Sequence, residues 1–297
     1  MTMRLLVTGG AGFVGAEICR LARDRGHEVT SLDRREIDGG DIRSITGDIR
    51  EPEAVLAAAQ SADAIVHCAA VVGPRPAKQN PRAAAEVNVL GMASVLEASR
   101  ALGLPVVHLS TATLYGNRPD LRPISEDDPT DPIGIYDATK LMAETLCDAY
   151  RKTWGCAVAS IRTGFVYGAG HSTGEYFVQR ALSGVPTTEP SGAGHPCDFT
   201  YVADLANGMV LAAEHSPLSS AIFNVTGGRL RTRGEFAAIV QHCIPQARIR
   251  QGPGQDPERH LRGACLIDRA ESEFGYVPRF DLESGISDWV QKAVGGR

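Results

Sequence analysis

Residues 8–15 read TGGAGFVG. A strand-like run, LLVTG (5–9), leads into it, and a helical pattern, EICRLAR (17–23), follows it. Gly10-x-Gly12-x-x-Gly15 and the wider Gly9-x-x-Gly12-x-x-Gly15 both fit a strand–turn–helix unit that binds a pyrophosphate. Glycines permit the tight turn, the close approach of the phosphates and the packing of helix on strand. The stretch therefore predicts a dinucleotide-binding βα unit.

Short β-branched apolar runs alternate with helical patterns over the first half of the chain. Helical stretches at 51–60 and 88–102 separate several of these runs. Continuous apolar strands separated by helices are typical of a parallel sheet that is covered on both faces. We therefore predict an α/β fold, a Rossmann-type doubly wound parallel sheet. The predicted strands are 5–9, 27–33, 43–48, 64–69, 105–110 and 157–162.

After residue 165 the pattern loosens and Gly and Pro become frequent. One strand (221–227) is predicted there, and the Pro- and Asp-rich stretch 117–134 is predicted to be a surface loop. The predicted division is a dinucleotide-binding domain over 1–165 and a small carboxyl-terminal substrate-binding region over 166–297, partly interleaved with the first. Helices are predicted in the second part at about 174–184, 202–214, 232–243 and 281–293.

Composition excludes several classes of protein. The chain has 297 residues, 43% of them hydrophobic, and a net charge of −5, which disfavours nucleic-acid binding. The sequence shows neither a signal peptide nor an apolar run that could span a membrane, so a cytoplasmic protein without a membrane partner is predicted. Seven scattered cysteines without a Cys-x-x-Cys pair indicate reduced thiols, with no metal site and no disulfide framework.

An acidic residue closes the second predicted strand, about 20 residues beyond the glycines. Asp33 stands where a carboxylate accepts hydrogen bonds from the adenosine ribose. A carboxylate repels a 2′-phosphate, so NAD is the predicted cofactor. Arg34 and Arg35 follow at once and could receive that phosphate, so NADP stays possible.

Tyr136 and Lys140 form Tyr-x-x-x-Lys (YDATK) on a predicted helix, one turn apart on the same face. An adjacent ammonium favours the phenolate, which would then accept a proton from a substrate hydroxyl. Ser110 and Thr111 end the fifth predicted strand, at the sheet edge where ligands bind. Two alternatives remain open: an amphipathic helix with a surface lysine, and a strand-end hydroxyl pair that bonds its own backbone.

With these motifs in this order, the sequence resembles the extended short-chain dehydrogenases/reductases, the NAD-dependent epimerase/dehydratase family. The resemblance runs over nearly the whole chain and implies catalytic roles for Thr111, four residues before Tyr115, and for Tyr136 and Lys140. It also implies a homodimer through helices at about 80–102 and 135–153. The cofactor contacts that the resemblance and the motifs imply are Gly9, Gly12, Phe13, Val14, Gly15, Asp33, Asp48, Ile49, Ala69, Ala70, Asn88, Tyr136 and Lys140.

Departures from the family pattern concern the substrate. Ala112 and Thr113 stand where dehydratases of the family carry an acid, which disfavours dehydration. Phe165 and Cys197 stand where the nucleotide-sugar members of the family have an Asn and an Arg. The side chains that usually bind the diphosphate of the substrate are therefore altered. The substrate contacts predicted in its place are Thr111, Ala112, Phe165, His195 and Arg231; for the arginines of RLRTR (229–233), a solvated surface position is an equal alternative.

These features predict an NAD-dependent oxidoreductase that transfers a hydride to or from a secondary alcohol carbon of a small-molecule substrate resembling a sugar or sugar acid. The alternative enzyme is a nucleotide-sugar (NDP-hexose) 4-epimerase with tightly bound NAD. A nucleotide-sensing regulator without turnover is a third interpretation, and the presence of both Tyr136 and Lys140 disfavours it.

Overall fold

Strands and helices alternate along the chain in the computed structural model, which describes residues 2–37, 42–170 and 172–295. The strands are β1 (Arg4–Thr8), β2 (Glu28–Asp33), β3 (Arg43–Thr46), β4 (Ala64–His67), β5 (Val106–Leu109), β6 (Val158–Arg162), β7 (Phe165–Tyr167), β8 (Thr187–Glu189), β9 (Pro196–Tyr201), β10 (Ile222–Asn224), β11 (Leu230–Thr232) and β12 (Ile249–Gln251). The helices are α1 (Phe13–Asp24), α2 (Pro52–Ala59), α3 (Pro74–Gln79), α4 (Pro81–Ala85), α5 (Gly91–Leu102), α6 (Ile135–Trp154), α7 (Ser172–Leu182), α8 (Val202–Glu214), α9 (Arg233–Cys243), α10 (Asp268–Phe274) and α11 (Leu282–Gly295). A π-turn (Glu86–Leu90) precedes α5, and a 3₁₀ turn (Ala112–Tyr115) follows β5.

The main sheet has seven parallel strands in the order β10-β6-β5-β4-β1-β2-β3. All six strands predicted in the first half belong to it. All four residues of β4 are buried, as a continuous apolar run in a sheet covered on both faces requires. The prediction of a Rossmann-type doubly wound sheet is confirmed.

Helices cover both faces of this sheet. On one face α1 packs with α8, and Ile18 and Met209 lie in the same core cluster. On the other face α2, α5 and α6 contribute to a second cluster that includes Val55, Leu96 and Ala143. α5 and α6 each end at a glycine in the left-handed region, Gly103 and Gly155, where a side chain would be strained.

The strand order reverses between β1 and β4. Thr8 at the end of β1 pairs with His67 of β4, and His67 pairs with His108 of β5. The carboxyl ends of these three strands therefore meet at one edge of the sheet. In open α/β sheets this switch point is where ligands bind.

The carboxyl-terminal half forms a second core around Trp289, Tyr167 and Phe236. Two small sheets, β11-β9-β7 and β12-β8, lie in this half. Of the strands β7 to β12, the sequence predicts only β10. β10 joins the main sheet beside β6, and α8 packs against α1. Elements after residue 165 thus pack with the main sheet. The division into a dinucleotide-binding domain (1–165) and a partly interleaved substrate-binding region (166–297) stays a prediction.

Among the described residues, no helix combines the length and the apolar character needed to cross a bilayer. In the same residues no group of three or more His, Cys, Asp or Glu side chains is placed to hold a metal ion. All seven cysteines are free thiols.

Candidate active site

The glycine turn after β1 brings the backbone of two loops into contact. Gly9 has φ +73°, and a Cβ atom added there would lie 2.7 Å from the Ala69 backbone nitrogen. A Cβ on Gly15 would lie 2.1 Å from the Gly9 carbonyl oxygen. The turn and the first residues after β4 therefore pack at a distance that side chains would prevent. Predicted cofactor residues from both loops share this edge.

α1 begins at Phe13 directly after the turn, and no side chain caps its amino terminus. Gly12, the N-cap, donates its N–H to the Gly9 carbonyl oxygen (3.0 Å). A helix amino terminus presents backbone N–H groups and the positive end of the helix dipole, which together favour a phosphate. The predicted contacts Phe13 and Val14 lie in this first turn and fit the pyrophosphate of a dinucleotide.

Asp33 ends β2 beside the same turn. Its Oδ2 accepts a hydrogen bond from the Ala11 N–H (3.1 Å), and its Oδ1 accepts one from the Arg35 N–H (3.1 Å). The Arg35 guanidinium donates to the Ala11 carbonyl oxygen (2.9 Å), so it folds back onto the turn. A carboxylate at the end of β2 is thus placed to accept hydrogen bonds from a ribose.

Asp48 and Ile49 follow β3 on the adenine side. Arg50 donates to both carboxylate oxygens of Asp48, and this hydrogen bond holds the pKa of Asp48 below its usual range. Ile49 is buried, and a Cβ on Gly91 would lie 2.5 Å from its Cδ1. Ile49 therefore packs against α5 at Gly91. Its contact with an adenine stays a prediction.

Asn88 connects the loop after β4 to the catalytic helix. Its Oδ1 accepts from the Val71 N–H (2.7 Å), and its Nδ2 donates to the Val71 carbonyl oxygen (3.1 Å) and to Thr139 Oγ1 (2.9 Å). The structure thus gives Asn88 a bracing position between Ala69–Ala70 and α6. Direct contact of Asn88 with the cofactor stays a prediction.

Tyr136 and Lys140 lie on the first turns of α6, one turn apart, but Lys140 does not bond the phenol. Its Nζ lies 2.8 Å from His108 Nε2 and donates to the Leu109 carbonyl oxygen (2.6 Å). Burial lowers the pKa of Lys140 to about 8, against the opposing charge of Glu144. Burial also raises the pKa of Tyr136 well above its usual range, Asp137 adds to this, and the hydrogen bond with Thr111 opposes it. Burial thus dominates the pKa of the phenol in this structure, and the expectation that the ammonium makes the phenol more acidic stays a prediction.

Thr111 lies at the carboxyl end of β5, next to the phenol. Its Oγ1 lies 3.0 Å from Thr113 Oγ1, and Thr113 in turn donates to Asp137 Oδ1 (2.6 Å). The only hydroxyl proton of Thr113 points to the carboxylate, so Thr113 accepts from Thr111. Sequence reasoning found no acid beside Thr111; the structure supplies Asp137, which reaches it through Thr113 from the residue after Tyr136.

Ser110 does not face the reaction site. Its Oγ donates to Glu144 Oε1 (2.6 Å), and Arg162 binds the same carboxylate through Nε and Nη2 (3.0 and 2.6 Å). The Arg162 guanidinium also lies 4.8 Å from the centre of the Tyr115 ring. This buried ion pair braces the strand end that carries Thr111.

The remaining predicted substrate residues occupy different environments. Ala112 is buried and donates its N–H to the Thr163 carbonyl oxygen (2.8 Å). The Phe165 ring lies 5.3 Å from the Arg259 guanidinium carbon. His195 is 2% exposed, and its Nδ1 has no hydrogen-bond partner among the described residues. Burial lowers the pKa of His195, and the nearby Arg259 lowers it further.

The guanidinium of Arg231 is held by two carboxylates, Glu235 (2.8 Å) and Glu283 (2.6 Å), which reduces its capacity to bind an anion. Its role at the substrate stays a prediction.

A second arginine, Arg262, lies near the site and was not predicted from the sequence. Arg262 donates to the Gly116 carbonyl oxygen (3.2 Å) and forms no ion pair with any described residue. Burial lowers its pKa, which the Asp137 carboxylate partly offsets. The basic run PERHLR (257–262) was the available signal.

Known proteins resemble this chain along its full length. The model of the NAD dependent epimerase/dehydratase family matches residues 5–226. The UDP-glucose 4-epimerase of Corynebacterium glutamicum is 30% identical over 326 residues, covering 99% of this chain and 98% of the relative. UDP-glucuronic acid decarboxylase 1 of Danio rerio is 29% identical, covering 97% of this chain and 72% of the relative. The crystal structure of Thermus thermophilus UDP-glucose 4-epimerase in complex with NAD has a TM-score of 0.88 at 30% identity, covering 99% of this chain and 100% of that chain.

The matched region contains the glycine turn, Asp33, Thr111 and the Tyr136–Lys140 pair, whereas Arg231 and Arg262 lie beyond it. The chain is an enzyme of the extended short-chain dehydrogenase/reductase type, and its cofactor is NAD. It belongs to the NAD-dependent epimerase/dehydratase family.

Proposed function

We propose that the chain is a nucleotide-sugar 4-epimerase that oxidises one secondary alcohol of the sugar and reduces the ketone again on the opposite face. One observation carries the proposal: Thr111 at the carboxyl edge of β5 opposes the rise in the pKa of the Tyr136 phenol, so the two side chains share the edge of the sheet that holds the dinucleotide turn. The full-length likeness to proteins named as UDP-glucose 4-epimerases supports the substrate class.

Three side chains of the site have separate roles in this proposal. Tyr136 exchanges a proton with the sugar hydroxyl, and Thr111 holds the same oxygen. Lys140 carries positive charge into a desolvated site, where it stabilises negative charge that develops on the phenol. NAD, which the glycine turn and Asp33 would hold, would supply the hydride acceptor and donor when bound. Because no carboxylic acid occupies 112 or 113, the site lacks a directly placed acid for elimination.

The test is interconversion of UDP-glucose and UDP-galactose by the purified protein, with NADH absorbance followed in parallel. Interconversion without net NADH supports an epimerase, because an epimerase returns its cofactor unchanged. Arg262→Met should raise KM for the nucleotide sugar about tenfold with little change in kcat, as expected for loss of a charged contact made in both ground and transition states. Failure to interconvert either sugar, with NAD bound, would reject this proposal.

A second candidate is a net dehydrogenase of a free sugar or sugar acid. Cys197 favours it, since a thiol stands where the resemblance expects an arginine, and Arg231 is held by carboxylates. This candidate predicts stoichiometric NADH from aldoses or uronic acids and no conversion of UDP-sugars. The same absorbance assay therefore separates the two.

We also propose a homodimer formed through α5 and α6. Leu90, directly before α5, and Met142 on α6 are 60% and 55% exposed, although both are large apolar side chains. Met142→Lys is expected to give a monomer by light scattering, whereas Leu266→Lys, at a 42% exposed apolar residue outside these helices, should not. The free state of all seven cysteines supports a cytoplasmic location.

A further inference from the structure

The Lys140 ammonium is directed by a histidine. Lys140 is 3% exposed and His108, on β5, is fully buried. Of the three ammonium protons, one points to His108 Nε2 (2.8 Å) and another to the Leu109 carbonyl oxygen (2.6 Å). The third proton is used by neither of these contacts.

The hydrogen bonds of His108 determine which of its nitrogens carries the proton. An ammonium can only donate, so Nε2 must be the acceptor. The proton therefore sits on Nδ1, which lies 3.1 Å from Ser160 Oγ on β6. Burial holds the pKa of His108 well below its usual range, and Lys140 lowers it further, so the ring stays neutral. A neutral Nδ1–H imidazole is thus a fixed acceptor for the lysine.

The other groups around the ammonium do not compete for this role. His67 on β4 stacks on His108 at 5.6 Å between ring centres, and burial lowers its pKa to about 3. Cys68 and Cys147 are thiols whose pKa values burial raises to about 12. Glu144, one helical turn after Lys140, is bound by Arg162 and Ser110.

We propose that His108 is a positioning residue, which holds Lys140 so that its remaining N–H faces Tyr136 and the cofactor. The inference rests on the proposed role of Lys140 in this enzyme. His108 touches neither reacting atom and acts only through the lysine. A non-bonding side chain at 108 would leave the ammonium with one buried acceptor instead of two.

The consequence is a change in the charge state of Lys140. A hydrogen bond from an ammonium stabilises its charged form, so loss of the acceptor lowers the pKa of Lys140 below about 8. A loss of the size typical for charged hydrogen bonds corresponds to about one pH unit. Because the His108 ring stays neutral, deprotonation of Lys140 removes the charge from the pair, and the productive form is the one with the ammonium. At a pH above the pKa of Lys140, a fall of one unit in that pKa lowers the fraction of the ammonium form about tenfold, and at a pH well below it the fraction hardly changes.

The test is the affinity for NADH as a function of pH, measured by fluorescence with the full chain freed of copurified nucleotide. By resemblance Lys140 binds the nicotinamide ribose, so wild-type affinity should fall as pH rises through the pKa of Lys140 near 8. His108→Met fills the space without a strong acceptor and should move this midpoint about one pH unit lower. Binding by this variant should then be about tenfold weaker above pH 8 and unchanged below pH 6.5.

Two further variants separate the role from a structural loss. His108→Gln offers an amide oxygen where Nε2 lies and should restore the wild-type midpoint. His27→Leu removes another buried histidine, which bonds Met3 and Glu214 at the far end of the sheet, and should lower Tm without moving the midpoint. His108→Leu replaces His108→Met if that variant shows no cooperative thermal transition.

The role of His108 would be overturned if the pH midpoint of NADH binding in His108→Met equalled that of wild type, or if His108→Gln shifted this midpoint as much as His108→Met does. In either case, NADH binding by these proteins would still support the assignment of the cofactor. No binding of NADH by the wild type at any pH would overturn both this inference and the proposed function.

Discussion

Replacement of Glu144 by leucine tests how the site is braced. Glu144 and Arg162 form an ion pair whose side chains are 4% and 6% exposed, with Nη2–Oε2 and Nε–Oε1 distances of 2.6 and 3.0 Å. The Nη1 of Arg162 already lacks a partner among the described residues. Without the carboxylate, all three guanidinium nitrogens would be buried without a counter-charge, and Ser110 would lose its acceptor.

Removal of one partner from a buried ion pair costs about 3–5 kcal/mol, because the other charge stays desolvated. A domain of this size loses roughly 2 °C of Tm per kcal/mol. Glu144→Leu should therefore lower Tm by about 6–10 °C in a calorimetric scan, in the range given by those two relations. The double variant Glu144→Leu/Arg162→Met removes both charges, and it should recover at least about half of the loss.

The exposed pair Asp148–Lys152 provides a matched control on the same helix. Its side chains are 48% and 75% exposed, and Asp148→Asn should change stability by no more than about 0.5 kcal/mol. A Glu144→Leu variant within about 1 kcal/mol of wild type, or a double variant as unstable as the single one, would refute the reasoning from an uncompensated buried charge.

Three further predictions concern the cofactor and the hydroxyl chain. Gly9→Ala places a Cβ 2.7 Å from the Ala69 nitrogen at a residue with φ +73°. The affinity for NADH, measured by fluorescence, should therefore fall at least tenfold, and the free energy of unfolding should fall by about 1–3 kcal/mol. Gly26→Ala, at φ +84° with no atom near the added Cβ, should lower stability without changing NADH affinity. Asp33→Ser removes the carboxylate that repels a 2′-phosphate and should shift the ratio of NADPH to NADH affinity by about tenfold or more toward NADPH; an unchanged ratio would place the ribose elsewhere. Thr113→Val cuts the link between Thr111 and Asp137 and should lower kcat about tenfold with little effect on KM, and a normal kcat would assign Asp137 to helix capping alone.

The sheet could be predicted from the sequence because its strands are buried on both faces and therefore read as continuous apolar runs. β4 and β6, entirely buried, are examples. The small strands β7, β8, β11 and β12 have three residues each, too few for a period of two to be recognised. Their formation depends on pairing between distant segments.

The candidate site divides in the same way. Gly9, Gly15 and the spacing of Tyr136 and Lys140 are local patterns, so the sequence shows them directly. The acceptor of Lys140 lies 32 residues away at His108, and Thr113 meets Asp137 across 24 residues. Such contacts are set by strand order and helix docking. The same holds for the ion pair of Arg231 with Glu283, which is 52 residues distant.

The central claim is that the buried phenol of Tyr136 exchanges the proton that accompanies hydride transfer with NAD. Its most direct test is UDP-galactose to UDP-glucose conversion by wild type, Tyr136→Phe and Tyr150→Phe, a matched loss of a hydroxyl on the same helix whose oxygen bonds Glu97. Tyr136→Phe should lower kcat about 100-fold or more while it retains NADH binding, and Tyr150→Phe should keep near-wild-type turnover. Turnover by Tyr136→Phe within about threefold of wild type would contradict the central claim.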